Sequence, residues 1–155
     1  MAIRQPSSRS CFVCGRDNPV GLHVRWDNHP DVGEIHATVS IPAHFNGYPG
    51  VAHGGIVAAL LDEAAGRSIL LDGDFDQLMV TAKLEVRYHQ PAPTETPLLL
   101  VGRLDRGGNQ HAEARAELRL PDGSVAARAT VLLARPPAEI SGRWQAERPY
   151  WKVDE

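Results

Sequence analysis

Two neighbouring carboxylates lie in the most apolar stretch of the chain. The segment "HGGIVAALLDEAAG" contains Asp62 and Glu63, and every other residue from 56 to 65 is Ile, Val, Leu or Ala. Adjacent residues of an α-helix point about 100° apart, so the two carboxylates cannot share one environment. A buried carboxylate without a partner is costly or takes up a proton. We therefore expect a carboxylate here to be either paired, with an arginine such as Arg67 or Arg87, or placed for acid–base chemistry.

The "HGG" at the start of this stretch is the second candidate for chemistry. The first N–H groups of a helix have no intrahelical acceptor and lie at its positive end. Because Gly54 and Gly55 have no side chains, a ligand oxygen can approach those N–H groups closely. This is the arrangement of an oxyanion hole. A tight start to a helix, with His53 as a weak cap, explains the same three residues without a ligand.

The spacing between these two groups predicts how they combine. Asp62 follows Gly54 by eight residues, which on a helix is about 12 Å of rise. Two groups that act on one carbonyl must each lie within ~3 Å of the reacting atoms. One chain therefore cannot close this site. Two such helices packed antiparallel about a two-fold axis would bring Gly54 of one chain to Asp62 of the other, which predicts a homodimer with two equivalent sites.

The elements that must position these residues are two strands, one helix and four strands. The alternating segments "LHVRW" and "EIHATVSIP" predict a hairpin, and the apolar stretch predicts a helix over residues 53–71. After the loop "DGDFDQ", four alternating strands with short joints predict an antiparallel meander from residue 78 onwards. A helix that is apolar nearly all round must be covered. The fold class is therefore α+β, with a curved antiparallel sheet wrapped around one long central helix.

Composition excludes several classes of protein. A chain of 155 residues is long enough for one domain with a real core. With 16 basic and 19 acidic residues it lacks the basic surplus of nucleic-acid binders. It has neither an uninterrupted apolar run of roughly 18 residues nor a secretory signal, so we expect a cytoplasmic protein without a membrane partner. The Pro-interrupted tail, residues 136–155, either drapes over the sheet or hangs free.

Cys11 and Cys14 form a CxxC within an N-terminal segment, residues 1–20. Zinc needs about four ligands, and no second pair follows at the spacing of a zinc ribbon or finger, although His23 is within reach of a short loop. A redox CxxC should begin a helix, whereas "GRDNPVGL" is typical of a turn. We favour two reduced thiols in a turn over a metal or redox site, and predict neither a metal nor a cofactor. "GxGxxG" and "GxSxG" are both absent.

Three segments carry a resemblance to a known family. The block "HFNGYPGVAHGGIVAALLDEAAG" followed by "VTAKLEVRYHQP" resembles the hotdog-fold acyl-CoA thioesterases, specifically the phenylacetyl-CoA thioesterase-like group. The opening "CFVCGRDNPVGL" resembles the start of many bacterial members, and the likeness runs from about residue 11 to 134. It implies a single hotdog domain over residues 1–155, an acyl-CoA substrate, and a homodimer that either stands alone or pairs into a homotetramer.

The resemblance also implies catalytic roles for four residues. The Gly54 amide would polarise the thioester carbonyl, and Asp62 of the partner chain would act as general base or nucleophile. Thr81 falls where related enzymes place a Ser or Thr that positions water, on the same chain as Asp62. Members often have an Asn or Gln six residues before the His, whereas Asn46 is seven before His53. A bulge in "NGYPGVA" would restore the reach of Asn46; otherwise Asn46 only shapes the loop.

The predicted substrate site contains more residues than the four catalytic ones. Four further residues are expected at the substrate: His53, Gly55, Glu63 and Arg87. Glu63 is also the competing base, although the spacing from Gly54 favours Asp62, and Arg87, Arg103 or Arg106 would meet the coenzyme A phosphates. A thiolate leaving group needs little assistance, so a carboxylate and an oxyanion hole suffice for hydrolysis. The alternatives are a non-catalytic acyl-CoA-binding hotdog protein, a hotdog dehydratase or hydratase that uses His53, and, more distantly, a CxxC zinc or redox module.

Overall fold

The computed structural model describes residues 1–70 and 73–154. Its strands are β1 (Ile3–Arg4), β2 (Asp27–His29), β3 (Glu34–Ser40), β4 (Asn46–Tyr48), β5 (Val51–Ala52), β6 (Val80–Tyr88), β7 (Pro97–Arg106), β8 (His111–Arg119) and β9 (Val125–Ala134). The α-helices are α1 (Gly54–Arg67) and α2 (Ala138–Arg143), and 3-10 turns cover Ala43–Phe45, Phe75–Gln77 and Trp144–Tyr150. No helix in the described part of the chain is long and apolar enough to cross a membrane.

One antiparallel sheet wraps α1. Its strand order is β1-β2-β3-β7-β8-β9-β6, and β4 pairs only with β5 in a separate hairpin. The helix contacts β3, β6, β7, β8 and β9. Val57, Leu60, Leu61, Ala64 and Ala65 are buried on the sheet side of α1. This arrangement confirms the predicted hotdog fold, with a sheet around a central helix.

Close approach between helix and sheet depends on a glycine in β7. A Cβ atom added at Gly102 would lie 2.2 Å from the carbonyl oxygen of Ala64 in α1. Real Cβ atoms do not come that close to an oxygen, so no other residue fits here without moving the helix. The facing positions of β8, namely Ala112, Ala114 and Ala116, are also small and buried. Small residues on the sheet therefore set how closely α1 can pack.

The predicted meander is correct for β7, β8 and β9 and wrong for β6. Strand β6 pairs with β9 at the end of the sheet, and the chain then passes through residues 89–96 to place β7 between β3 and β8. Alternation along a strand reports which face is buried but not which neighbour supplies its hydrogen bonds. In consequence β6 lies beside α1 with its outer edge unpaired within the described residues.

The predicted hairpin is shifted along the chain. Residues 22–26 form no strand, and β2 begins at Asp27. The backbone of residues 24 and 26 instead bonds to the N-terminal segment, with Val24 N–H donating to the carbonyl of Val13 and Gln5 N–H to that of Trp26. Trp26 is fully buried. The alternation in "LHVRW" therefore reflects burial beneath the N-terminal segment.

The helix is shorter than predicted. It ends at Arg67, where the Ser68 hydroxyl donates to the carbonyl of Ala65 at 2.6 Å. Leu71, at the predicted end of the helix, and Asp72, at the start of the predicted loop, lie outside the described residues. The rest of that loop contains the 3-10 turn at Phe75–Gln77.

The tail packs against the N-terminal segment rather than over the sheet. Lys152 forms an antiparallel bridge with Ser7. Arg16 donates to Asp154 at 2.8 Å, and the Trp151 indole N–H donates to the carbonyl of Gly73 at 2.8 Å. The N-terminal segment and the tail therefore pack together, and they cover the C-terminal end of α1.

Candidate active site

A hydrogen bond joins α1 to the edge strand at the centre of the candidate site. The Thr81 hydroxyl donates to Oδ1 of Asp62 at 2.7 Å. Thr81 faces the helix because β6 has a bulge between Thr81 and Lys83, so that Thr81 lies opposite Leu133 and Leu84 opposite Val131. In a regular strand, residues three apart point to opposite faces. The bulge therefore places Thr81 on the same side as Leu84, toward α1.

Asp62 and Thr81 open into a cavity of about 510 Å³, here called the Asp62 cavity. Its walls come from the N-terminal segment, the C-terminal half of α1, the start of β6 and the tail. Cys11, Glu63 and Trp151 are among its lining residues. A volume of this size is typical of a small-molecule site. The predicted base and water-positioning residue therefore share one concave surface.

Glu63 has a different environment from Asp62, as the helical geometry predicts. Its Oε1 accepts from Nε of Arg67 at 3.0 Å, and Arg67 is only 3% exposed. Burial raises the pKa of the Glu63 carboxyl to about 7, while the Arg67 guanidinium acts in the opposite direction. The expected pairing of one carboxylate with Arg67 is confirmed, and Glu63 is the one that is paired. Asp62 is left with the hydroxyl of Thr81.

The CxxC turn packs against this ion pair. Both cysteines are free, with Cys14 buried, and Nη2 of Arg67 donates to Sγ of Cys14 at 2.8 Å. Sγ of Cys11 lies 4.0 Å from Oε2 of Glu63. The hydrogen bond between the two thiols lowers the pKa of Cys11 to about 6 and raises that of Cys14 to about 12. His23, the residue expected within reach of the cysteines, is exposed and lies outside this cluster. The third potential metal ligand beside the two cysteines is Glu63.

The start of α1 presents one N–H group to solvent. The Gly55 N–H donates to Nδ1 of His53 at 2.9 Å, so His53 caps the helix more effectively than its residue type suggests. The Gly54 N–H has no acceptor among the described residues. The Tyr88 hydroxyl donates to the carbonyl oxygen of Gly54 at 2.6 Å and anchors this turn to β6. Gly54 is therefore better placed than Gly55 to bind a ligand oxygen.

Asn46 lies beside the helix start. It pairs with Ala52 in the β4–β5 hairpin, and the register shifts between Asn46 and Tyr48, so this loop is irregular at Asn46. Its Oδ1 is buried and has no hydrogen-bond partner among the described residues. Such an atom is uncommon in a folded protein, and a bound water is one way to satisfy it.

The expected phosphate-binding arginines are dispersed. Arg103 is paired with Glu34, and Arg106 is paired with Glu113. Neither arginine lines the Asp62 cavity or a second cavity that lies beside Gly54. Arg87 lies on β6 opposite Arg128 and also lines neither cavity, but it has no ion pair among the described residues. Of the three arginines, Arg87 remains the candidate.

Gly54 and Asp62 lie at opposite ends of one continuous helix. They line different cavities, and the second, here called the Gly54 cavity, has a volume of about 500 Å³ and includes Tyr48 and Tyr88 in its lining. Between the two cavities runs the unpaired edge of β6, where Val80, Leu84 and Tyr88 are 39%, 37% and 51% exposed. Apolar side chains on an open strand edge are a surface that proteins normally cover. Within one chain, the two halves of the candidate site stay apart.

A sheet around a central helix, with a carboxylate on the helix and an open N–H at its start, defines the class of hotdog-fold thioesterase domains. The sequence profile of the thioesterase superfamily matches residues 49–127, about half of the chain. This chain belongs to the thioesterase superfamily. A comparison with curated protein sequences gave no match.

Solved structures agree with this assignment. A crystallised thioesterase superfamily protein is 31% identical with a TM-score of 0.73, and the match covers 81% of this chain and 60% of that one. A Streptococcus mutans protein bound to acetyl-CoA is 22% identical with a TM-score of 0.59, covering 67% and 85%. The PaaI protein of the E. coli phenylacetic acid degradation operon is 19% identical with a TM-score of 0.59, covering 66% and 76%. The last two are similar in fold, and the chain spans 60% of the length of the first.

Two features of the site were missed from the sequence. Tyr88 alternates with Leu84 and Val86 in the strand pattern, and nothing local indicates that its hydroxyl reaches Gly54. The contact between Cys11 and Glu63 joins residues 52 positions apart. The i,i+4 spacing of Glu63 and Arg67 was the available signal that Glu63 would be the paired carboxylate.

Proposed function

We propose that this protein hydrolyses acyl-CoA thioesters at sites shared between two chains. The observation that carries the proposal is the hydrogen bond of 2.7 Å between Thr81 and Asp62, which fixes a carboxylate at the wall of a cavity. Membership of the thioesterase superfamily gives the reaction class. The acetyl-CoA bound to the Streptococcus mutans neighbour supports a coenzyme A thioester as the substrate class.

The Gly54 N–H binds the thioester carbonyl oxygen. It points from the positive end of α1 and has no competing acceptor in the described part of the chain. Negative charge develops on that oxygen as the tetrahedral intermediate forms, so a fixed donor there stabilises the transition state more than the substrate. The Tyr88 hydroxyl, bonded to the Gly54 carbonyl at 2.6 Å, holds the peptide group in place. Asn46, in the β4–β5 hairpin that precedes the helix, would assist through its amide side chain.

Asp62 of the partner chain activates water or attacks the carbonyl directly. Its Oδ1 is held by Thr81, which leaves Oδ2 for a water molecule. The Thr81 hydroxyl donates its proton to Asp62, so its lone pairs can accept from the same water. A carboxylate in reach of water supplies general-base catalysis, and the coenzyme A thiolate leaves without an acid.

Two chains complete the site if the exposed β6 edges face each other. A two-fold axis beside β6 and perpendicular to α1 makes the two α1 helices antiparallel, so that Gly54 of one chain approaches Asp62 of the other. The same contact covers Val80, Leu84 and Tyr88. Further pairing of such dimers into a tetramer is compatible with this arrangement. Coenzyme A then lies at the surface, with Arg87 available for its phosphates.

A panel of acyl-CoA esters tests the proposal. Hydrolysis is best followed by the loss of thioester absorbance, because the two free cysteines of the chain would react with thiol reagents. Turnover of at least one acyl-CoA that depends on Asp62 supports the proposal. Saturable binding without turnover would identify a non-catalytic acyl-CoA binder instead. Reversible hydration of an enoyl-CoA would identify a hydratase, for which the His53 ring, with Nδ1 used as a helix cap, is poorly placed.

A further inference from the structure

The CxxC turn and Glu63 form a cluster that the proposed hydrolysis does not use. We propose that Cys11, Cys14 and Glu63 bind a zinc ion, which fastens the N-terminal segment to α1. The ligand atoms of these three residues, two sulfurs and one carboxylate oxygen, all lie within 4.8 Å of one another. None of these three ligands is Asp62, Thr81 or Gly54, so hydrolysis and zinc binding can fail independently.

The distances are close to those that zinc needs. In a tetrahedral site with Zn–S of about 2.3 Å and Zn–O of about 2.0 Å, a sulfur and an oxygen ligand are roughly 3.5 Å apart. Sγ of Cys11 and Oε2 of Glu63 are 4.0 Å apart. This pair must close by about half an ångström, and no pair of the set, all within 4.8 Å, must close by more than about 1.3 Å. Cysteine sulfur and carboxylate oxygen are both established zinc ligands.

The backbone of the turn is built to hold two sulfurs on the same side. The Val13 N–H donates to Sγ of Cys11 at 3.3 Å, and the Gly15 N–H donates to the carbonyl of Cys11 at 2.7 Å. A Cβ atom added at Gly15 would lie 2.4 Å from the backbone nitrogen and oxygen of Cys11, so the turn requires glycine after the second cysteine. A backbone N–H directed at sulfur stabilises a thiolate, which is the form that binds metal.

Arg67 supplies the positive charge that balances such a site. Two thiolates and one carboxylate bring three negative charges to a doubly positive ion, so the bound site carries about one negative charge. The buried Arg67 guanidinium donates to Oε1 of Glu63 at 3.0 Å and to Sγ of Cys14 at 2.8 Å. It thus neutralises the site and orients two ligands, as outer hydrogen-bond partners of metal ligands do. Oε2 of Glu63, on the Cys11 side, remains free for the ion.

The location explains what the ion would do. Ser8, Cys11 and Cys14 form one wall of the Asp62 cavity, and the tail that completes the cavity is bonded to the same N-terminal segment. An ion that joins this segment to Glu63 of α1 would hold both ends of the chain against the helix. Three protein ligands leave the fourth position of a tetrahedral site to water.

The test is metal content and thiolate coordination in the full chain, produced without a polyhistidine tag and kept under a reductant that does not bind metal. We expect about one zinc ion per chain by mass spectrometry of the metal, and a thiolate-to-cobalt absorption band when cobalt replaces zinc. Cys11→Ser and Glu63→Gln should weaken zinc binding at least tenfold in competition with a chromophoric chelator. The matched control is His23→Ala, since His23 is a nearby potential ligand outside the cluster; its affinity should equal that of the parent.

The outcomes separate the proposal from its rivals. Reduced parent protein that neither retains zinc nor shows the cobalt band overturns the proposal. Loss of zinc in His23→Ala with full binding in Glu63→Gln overturns it too, because the ligand set would then be a different one. If the two ligand variants fold poorly, thermal unfolding of the parent protein tests the proposal instead. A chelator that lowers the Tm of the parent supports a zinc ion that stabilises the fold. An unchanged Tm in zinc-loaded and chelated samples contradicts the proposal.

Discussion

Replacing Gly54 by proline removes the N–H proposed to bind the thioester oxygen and leaves the helix able to form. Proline is favoured at the first helical position, and the preceding residue must be extended, as His53 is with ψ of 135°. Loss of one oxyanion donor should lower kcat by about 10²- to 10³-fold. Gly54→Ala is the matched control: its Cβ would lie 3.5 Å from the Tyr88 hydroxyl, an ordinary contact, and its N–H is retained. We expect Gly54→Ala to stay within tenfold of the parent, a difference of less than about 1.4 kcal/mol.

The same variant tests the shared site. Gly54 and Asp62 are about 12 Å apart along α1, so each proposed site takes one residue from each chain. A dimer that combines a Gly54→Pro chain with an Asp62→Asn chain has one site with both lesions and one intact site. Random mixing of equal amounts makes about half of the dimers mixed, so about a quarter of all sites are intact.

The assay is co-refolding of the two inactive variants, native mass spectrometry to count mixed dimers, and thioester hydrolysis. Activity near a quarter of the parental value, and none from either variant alone, is the expected result. Mixed dimers that form in the expected proportion and remain inactive would refute the shared-site reasoning. Equal rates for Gly54→Pro and Gly54→Ala would refute the oxyanion role of the Gly54 N–H.

Four further outcomes are expected. Asp62→Asn should lower kcat by about 10²- to 10⁴-fold, the effect of losing a general base, whereas Glu63→Gln should retain far more activity. Thr81→Ala should be slowed roughly tenfold or more, since a hydrogen bond to a charged group contributes about 1.5–3 kcal/mol, and Thr81→Ser should be nearly normal. Arg87→Ala should raise KM at low salt and reduce its salt dependence, because added salt screens exposed charges. Gly102→Ala should lower the free energy of unfolding in urea by about 1–3 kcal/mol or more, because its Cβ would overlap the helix backbone.

Each outcome has a result that would contradict it. An inactive Glu63→Gln beside an active Asp62→Asn would reverse the assignment of the base. Parental rates in Thr81→Ala would remove Thr81 from the site, and a KM independent of salt in the parent would count against phosphate binding by Arg87. For Gly102→Ala the control is Gly142→Ala in α2, where an added Cβ has nothing within 4 Å and stability should not fall. Equal unfolding midpoints for the two variants would show that α1 can move away from β7 without lowering the free energy of unfolding.

The helix and the separate environments of its carboxylates follow from local sequence. The segment from "HGG" onwards predicts a helix over residues 53–71, and α1 occupies Gly54–Arg67 within that range. The angle between adjacent helix residues separates Asp62 from Glu63, and the i,i+4 spacing brings Arg67 to Glu63. The rise per residue likewise places Gly54 and Asp62 at opposite ends. These properties depend only on helix geometry, so a linear sequence is sufficient to predict them.

The strand pairing and the site around Asp62 depend on contacts between distant segments. Alternation identifies β6 as a strand, but any antiparallel neighbour satisfies that pattern, and only packing of the whole sheet places β6 beside β9 at an open edge. The bulge that turns Thr81 toward Asp62 arises in that pairing and has no local signature. Cys11 reaches Glu63 across 52 residues because the N-terminal segment and the tail fold together over the end of α1. Bringing such segments together costs chain entropy that only the burial of many side chains at once can offset, and for that reason the tertiary structure, not the local pattern, decides these contacts.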